Sequence, residues 1–323
     1  MELDGSNTLN SDKKLENNSL MDVSDFSFVE NNLKEVEDIA RPSVPFWKEA
    51  LSKLFSNKLA VMGLLFVILI SLLAIFVPIF SKYGYADNNL LSTNETPSLT
   101  HWFGTDQLGR DIFVRVMYGA RYSLIIGFAA SILNLFIGII YGGVAGFVGG
   151  RIDNIMMRIV DVINSIPMTI YVILLMVMFE KGGLFNIIIA LSVSYWIGMA
   201  RIVRGEILQL KQQEFVLAAR TLGASGKRIL FKHLIPNCLG SIIVTLTLQI
   251  PTAIFTEAFL SFIGLGIAPP AASWGTLAND ALQSLRLYPY QLLFPTLAIC
   301  LTILSFNLLG DGLRDALDPK VKK

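Results

Sequence analysis

The chain has 323 residues, of which 53% are hydrophobic and only 16% charged, with a mean hydropathy of +0.58. So little charge at this length excludes an ordinary soluble domain and points to a membrane protein. The formal net charge of +1 hides an acidic beginning, with ten acidic and three basic residues in 1–40, and a basic interior stretch, with seven basic and two acidic residues in 201–237.

Residues 1–44 form an acidic tail rich in Asn and Ser, which cannot bury enough apolar area to offset ordering, so disorder is expected. Val29, Leu33 and Val36 recur at helical spacing and leave a short docking helix as the alternative. The first apolar run begins near Leu59, so no signal peptide is expected. Residues 45–58 read as an amphipathic interfacial helix. Phe46, Trp47, Ala50, Leu51, Leu54 and Phe55 lie on one side, and Lys48, Glu49, Ser52 and Lys53 on the other.

A span needs roughly 20 apolar residues to cross about 30 Å of hydrocarbon. Six segments qualify: Leu59–Phe80, Tyr122–Val148, Met156–Phe179, a short Leu184–Met199, Cys238–Phe262 and Tyr290–Leu309. The expected class is an all-α polytopic membrane protein with about six transmembrane helices. Its first helix is 59–80, its first extracellular loop 81–121, its core of five further helices 122–310 and its C-terminal segment 311–323. With the N-terminus inside, 17 Lys and Arg fall on inner flanks and six on outer ones, which predicts both termini in the cytoplasm. The two cysteines, Cys238 and Cys300, have no metal-site or disulfide spacing and read as buried packing residues.

In the first outer loop, GTDQLGRD from Gly104 to Asp111 reads as turns with capping carboxylates, and Arg110, Asp111 and Arg115 as a structural charge cluster. Gly138, Gly142, Gly146 and Gly150 stand at i+4 spacing, a smooth ridge that lets another helix approach closely. Pro167 should bend the third span. Asp161, near its inner end, is read either as functional or as paired with Arg158. In the fifth span Ser241, Thr245, Gln249, Thr252 and Thr256 fall on one face, with Glu257 beside its outer end. Interhelical bonds of this type are worth only about 0.6 kcal/mol each. A watery solute path is therefore ranked ahead of helix packing as the reason for the stripe.

The longest basic interruption, 201–237, is read as a helix, a glycine turn and a second helix. Phe215, Ala218, Ala219 and Leu222 have the i, i+3, i+4, i+7 spacing of one helix face. Gly223 suits a left-handed helix end, Ser225 can cap the next helix carrying Lys227 and Arg228, and Pro236 marks the start of the following span.

The order Ala218-Ala219, Gly223 and Ile235-Pro236 resembles the cytoplasmic coupling loop of ABC importer permeases, with Leu217 where that family usually has Glu. GTDxxGRD followed by YGAR, LSFIGLGIAPP with SWG, and SFNLLGDGLRDALDP resemble the C-type subunit of the oligopeptide and dipeptide branch, over residues 45 to 320; Val114 stands where that branch often has Ser. The resemblance implies the type I ABC importer permease fold and peptide uptake by alternating access. It also implies a heterodimer with a second permease, two ATPase subunits that bind ATP and Mg, and an extracellular peptide-binding lipoprotein. Under it Phe215, Ala218, Ala219, Leu222 and Gly223 form the docking surface for the ATPase, with Arg220, Lys227 and Arg228 at its rim. Ser241, Thr245, Gln249, Thr252, Thr256 and Glu257 are the candidate path residues.

No cofactor, catalytic residue, metal site or nucleic-acid interface is expected in this chain. The two histidines, His101 and His233, lie outside the spans, no HExxH or GxSxG occurs, and Gly223–Lys227 lacks the spacing of a P-loop. The missing catalytic pair argues against an intramembrane enzyme. An ATP-independent channel, and a permease for another solute such as nickel chelates, are the remaining alternatives.

Overall fold

The computed structural model describes residues 45–179 and 183–317. The expected acidic tail over 1–44 and the last basic residues, Lys320, Lys322 and Lys323, lie outside the described residues. In chain order the helices are α1 (Phe46–Ser56), α2 (Lys58–Phe80), α3 (Ile112–Val148), α4 (Gly150–Ser165), α5 (Met168–Phe179) and α6 (Leu184–Leu210). They continue with α7 (Glu214–Thr221), α8 (Leu239–Phe262), α9 (Trp274–Ala281) and α10 (Tyr290–Leu317). Among the described residues five helices, α2, α3, α6, α8 and α10, are long and apolar enough to cross a membrane. The α4–α5 pair, bent by 76°, makes a sixth if taken as one span.

Several helices outrun their expected ends, for a common reason. The second span begins at Ile112 rather than Tyr122, because Asp111 caps it by accepting from Val114 N at 2.9 Å. Arg115 then sits inside the helix, 3% exposed, paired with Asp106 at 2.5 Å. Arg121 donates from Nε to Ala74 O at 2.5 Å and from a terminal nitrogen to Ile75 O at 2.7 Å. Pro78 has no N–H to return to the Ala74 carbonyl, so Arg121 supplies the donor that the proline removed. Likewise α6 continues to Leu210 instead of stopping at Met199, because Arg201 and Arg204 are paired with aspartates of α4. Charges that end a span in a hydropathy count are compatible with it once each has a partner.

The third expected span is two helices. The chain turns at Ile166 and Pro167, and Tyr171 donates its hydroxyl to Ile163 O at 2.9 Å beside the break. Asp161 pairs with Arg201 at 3.0 Å, which replaces the Arg158 partner expected from sequence proximity.

Of the four glycines in register, three face α6. An added Cβ would lie 2.5 Å from Met199 Cβ at Gly138, against the Ala200 backbone at Gly142, and 2.8 Å from Arg204 O at Gly146. Gly150 departs from that ridge. It has φ +62° with open space around it and follows Gly149 at φ +72°, so it makes the corner between α3 and α4.

The largest buried cluster joins α2, α3, α8, α9 and α10. At its centre Trp274 is fully buried and donates Nε1 to Val116 O at 2.9 Å. α1 lays Leu54 against Ala316 and Leu313 of α10, and leaves Trp47, Leu51 and Phe55 exposed. Of the two cysteines only Cys238 is buried; Cys300 lies exposed on α10, correcting the expected burial.

Candidate coupling helix and solute path

The basic loop folds onto a core of its own. Met199, Val203 and Ile207 of α6 pack with Val216 and Ala219 of α7 and with Ile229, Leu230, Leu234 and Cys238. The buried pair of α7 is therefore Val216 and Ala219, three residues apart. This corrects the expected docking face in one position, since Ala219 is 9% exposed and turned inward. Phe215 (40% exposed), Ala218 and Leu222 (88% exposed) remain on the open side, and Leu217 is 51% exposed. A helix that buries two small apolar side chains and presents larger ones to solvent carries a surface shaped for a partner.

Gly223 ends α7 at φ +80°. Its N–H bonds to Arg220 O at 2.9 Å and the Ala224 N–H to Ala219 O at 3.0 Å, the double closure of a Schellman end. Ser225 caps the next turn by accepting from Arg228 N. Residues Gly226–Arg228 run through a π-helical stretch, Ile229–Leu234, into Ile235–Asn237 and on to α8. Arg220, Lys227 and Arg228 are all exposed. The loop is thus joined to α6 through the short turn 211–213 and to α8 through the helical run from Gly226 to Asn237.

The polar stripe of α8 meets α6. Ser241 donates to Glu206 Oε1 at 2.7 Å, Gln249 donates Nε2 to Tyr195 O at 3.2 Å, and the Thr256 and Tyr195 hydroxyls are bonded to each other. Thr245 and Thr252 donate to carbonyls of their own helix, Ser241 O and Leu248 O. The seam is incompletely satisfied, because Gln249 Oε1 is buried with no hydrogen-bond partner among the described residues. Three members of the stripe therefore bond across to a neighbouring helix, the arrangement ranked second from the sequence, while Thr252 stays exposed.

Glu257 is 0% exposed, which removes it from the solute-facing set in this conformation. Ser123 of α3 donates to its Oε2 at 2.8 Å and Ser261 to its Oε1 at 2.7 Å. Ser123 Oγ also accepts from the Trp274 N–H at 3.4 Å, so Glu257 is the joint at which α3, α8 and α9 meet.

Near this joint, Asp106 is bonded by both Arg110 (2.7 Å) and Arg115, and Asp280 of α9 stands 3.5 Å from Arg115. Burial raises the Asp280 carboxyl above its usual range against the pull of Arg115 and Arg110. These groups line a cavity of about 330 Å³ between the 101–111 loop, α9 and α10. His101 Nδ1 lies 2.8 Å from Asp111.

Sequence reasoning missed Tyr195, Glu206, Asp153 and Arg204 as parts of this arrangement. Arg204 holds Asp153 with two bonds, Nε to Oδ1 at 2.5 Å and a terminal nitrogen to Oδ2 at 2.7 Å. Asp153 was legible as an acid next to a span, but its partner lies 51 residues away.

Comparison with known proteins gives one consistent family. Residues 134–323 match the family described as "Binding-protein-dependent transport system inner membrane component", and residues 45–97 match the "N-terminal TM domain of oligopeptide transport permease C". The oligopeptide transport system permease protein OppC of Bacillus subtilis is 57% identical over 292 residues, covering 90% of this chain and 95% of its own. The dipeptide transport system permease protein DppC of the same organism is 50% identical, covering 93% and 95%. OppC of Escherichia coli K12 is 42% identical, covering 85% and 91%. Among solved structures, the inward-facing MetNI methionine ABC transporter matches with a TM-score of 0.54 at 20% identity, over 63% of this chain and 96% of that one, a likeness of fold. Six hydrophobic segments, a helical loop docked on its own core and these matches converge: the chain belongs to the binding-protein-dependent transport system inner membrane components, with the type I ABC importer permease fold of a multi-pass transport subunit.

Proposed function

We propose that this chain is the C-type permease of a peptide uptake system, forms half of a translocation path with a second homologous permease, and is driven by two cytoplasmic ATPases that bind ATP and Mg. The observation that carries the coupling role is α7, whose exposed Phe215, Ala218 and Leu222 stand on a helix fixed to α6 and α8. Peptide as solute rests on the 57% and 50% identity to permeases named for oligopeptide and dipeptide transport. The excess of Lys and Arg on alternate connections supports cytoplasmic termini, with α7 on the same side as the ATPases. An extracellular peptide-binding lipoprotein delivers the solute. Closure of the ATPases displaces α7, and the spans tilt between inward- and outward-open states. The chain itself supplies no catalytic group or cofactor; the bilayer is its solvent and no nucleic acid takes part.

The test is ATP hydrolysis by the reconstituted assembly of both permeases and both ATPases, with the binding protein and tetra-alanine added. Stimulation by tetra-alanine that is lost when this chain is omitted supports the reading. Hydrolysis that ignores the peptide but responds to a nickel chelate would move the chain to another solute.

A further inference from the structure

The residues that join the coupling helix to the bent α4–α5 segment can be located. Helix α4 lies between two articulations. At its start are Gly149 and Gly150, both with positive φ, and an added Cβ at Gly150 would meet nothing within 4 Å. At its end the chain breaks by 76° at Ile166 and Pro167. Most of its surface is open: Ile152, Ile155, Ile159 and Val162 are each about half-exposed or more, and only Asp153 and Val160 are buried. A helix hinged at both ends and open on most sides takes its position from its lateral ties.

Those ties run chiefly to α6. Arg204 grips Asp153 in the planar two-bond geometry that fixes direction as well as distance. The Asp153 side chain is 8% exposed and that of Arg204 30%, so solvent screens this pair less than a surface one. One turn away on α6, Arg201 holds Asp161 at 3.0 Å in a more open pair. Between them Val160 packs on Trp196, Ile197 and Ala200. Tyr141 of α3 joins the same cluster and donates its hydroxyl to Met156 O at 2.8 Å. Helix α6 then runs without interruption to Leu210 and is followed within four residues by α7.

We infer that the Asp153–Arg204 pair, seconded by Asp161–Arg201, is the link that carries displacement of the coupling helix from α6 into α4 and the break at Ile166–Pro167. Arg204 and Asp153 are positioning residues. They touch neither the solute nor the ATPase surface, and they decide whether the bent segment follows the lever. This rests on the proposed role of α7 as the ATPase contact.

The experiment uses the full assembly in proteoliposomes and reads tetra-alanine uptake against ATP hydrolysis in the same vesicles. Arg204→Ala and Asp153→Ala are each expected to lower peptide moved per ATP by about tenfold, within the usual range for coupled sites, while hydrolysis stays within about twofold. The exchange Asp153→Arg with Arg204→Asp is expected to recover uptake to within about threefold of the unmodified chain, which loss of folding would not do. Unchanged uptake per ATP in both single variants overturns the link. If the variants do not assemble, spin labels at Ile159 and Glu214, both exposed and outside the docking set, on an otherwise unmodified, assembled transporter decide it. A separation that stays constant between nucleotide-free and ATP-bound states supports the link, and one that changes by more than about 5 Å, a helical turn, overturns it. If the unmodified chain itself shows no ATP-dependent uptake, the role of α7 fails first, and the two failures are told apart.

Discussion

Gly142→Ala adds one methyl group where α3 lies against the backbone of α6. The new Cβ would stand 2.9 Å from both Cα and the carbonyl carbon of Ala200, and nearer still to the carbonyl oxygen. Carbon atoms pack at about 3.5–4.0 Å, so the helices must part by something near 1 Å at this level. The obstacle is backbone, with no rotamer to yield. A gap of that size forfeits a quarter to a half of each dispersion contact along the seam, and Gly138 and Gly146 beside it lose their close approach as well. Overpacking of this type costs about 1–3 kcal/mol. For a chain of this size that lowers the melting temperature by on the order of 5 °C. The assay is thermal unfolding of the purified protein in one detergent. Gly205→Ala is the control, because an added Cβ there meets nothing within 4 Å and alanine is the better helix former by about 1 kcal/mol. A Gly142→Ala variant that melts with or above Gly205→Ala would refute the close approach of α3 and α6.

Leu222→Asp puts a charge on the most exposed apolar side chain at the end of α7 and, on the proposed coupling role, should weaken ATPase binding to the permease pair by at least about tenfold, measured by titration in nanodiscs. Gly223→Val forces a branched side chain into φ +80°, at a cost of about 1–2 kcal/mol, with no steric clash to add to it. Its signature is loss of ATPase assembly and uptake with the spans still folded by circular dichroism. Arg121→Ala should destabilise by about 1–2 kcal/mol by orphaning the Ala74 carbonyl. In a Pro78→Ala background the helix provides its own N–H, so the same change should cost about 1 kcal/mol less; additive losses in the double-mutant cycle would break that account.

The spans were legible where apolar runs are long, and their ends were not. Hydropathy stops a helix at the first charge, so Arg115, Arg121, Arg201 and Arg204 read as flanks. The structure instead keeps each inside a helix, against Asp106, the Ala74 and Ile75 carbonyls, Asp161 and Asp153. Partners 9 to 51 positions away cannot be found by scanning neighbours. Helix α7 was readable because its period, its glycine stop and the following proline are local signals. Of its expected docking face only Ala219 is turned inward, beside Val216, because the apolar pattern alone does not say which side meets the body of the protein. The α8 stripe shows the same limit from the other direction. A row of hydroxyls and an amide announces a polar neighbour, and whether that neighbour is water or Tyr195 and Glu206 is a tertiary fact. Glu257 looked like the outer end of that row, yet a turn of the helix directs it to Ser123 and the α9 entrance.

The most direct measurement of the central claim, that a separate motor moves this permease through α7, is tetra-alanine uptake by proteoliposomes holding the two permeases and the binding protein, with and without the ATPase pair and ATP. The account gives accumulation only when both ATPases and ATP are present, and its loss when Leu222→Asp is introduced. Accumulation by the permeases without the ATPases, or full uptake through the Leu222→Asp chain, would contradict it.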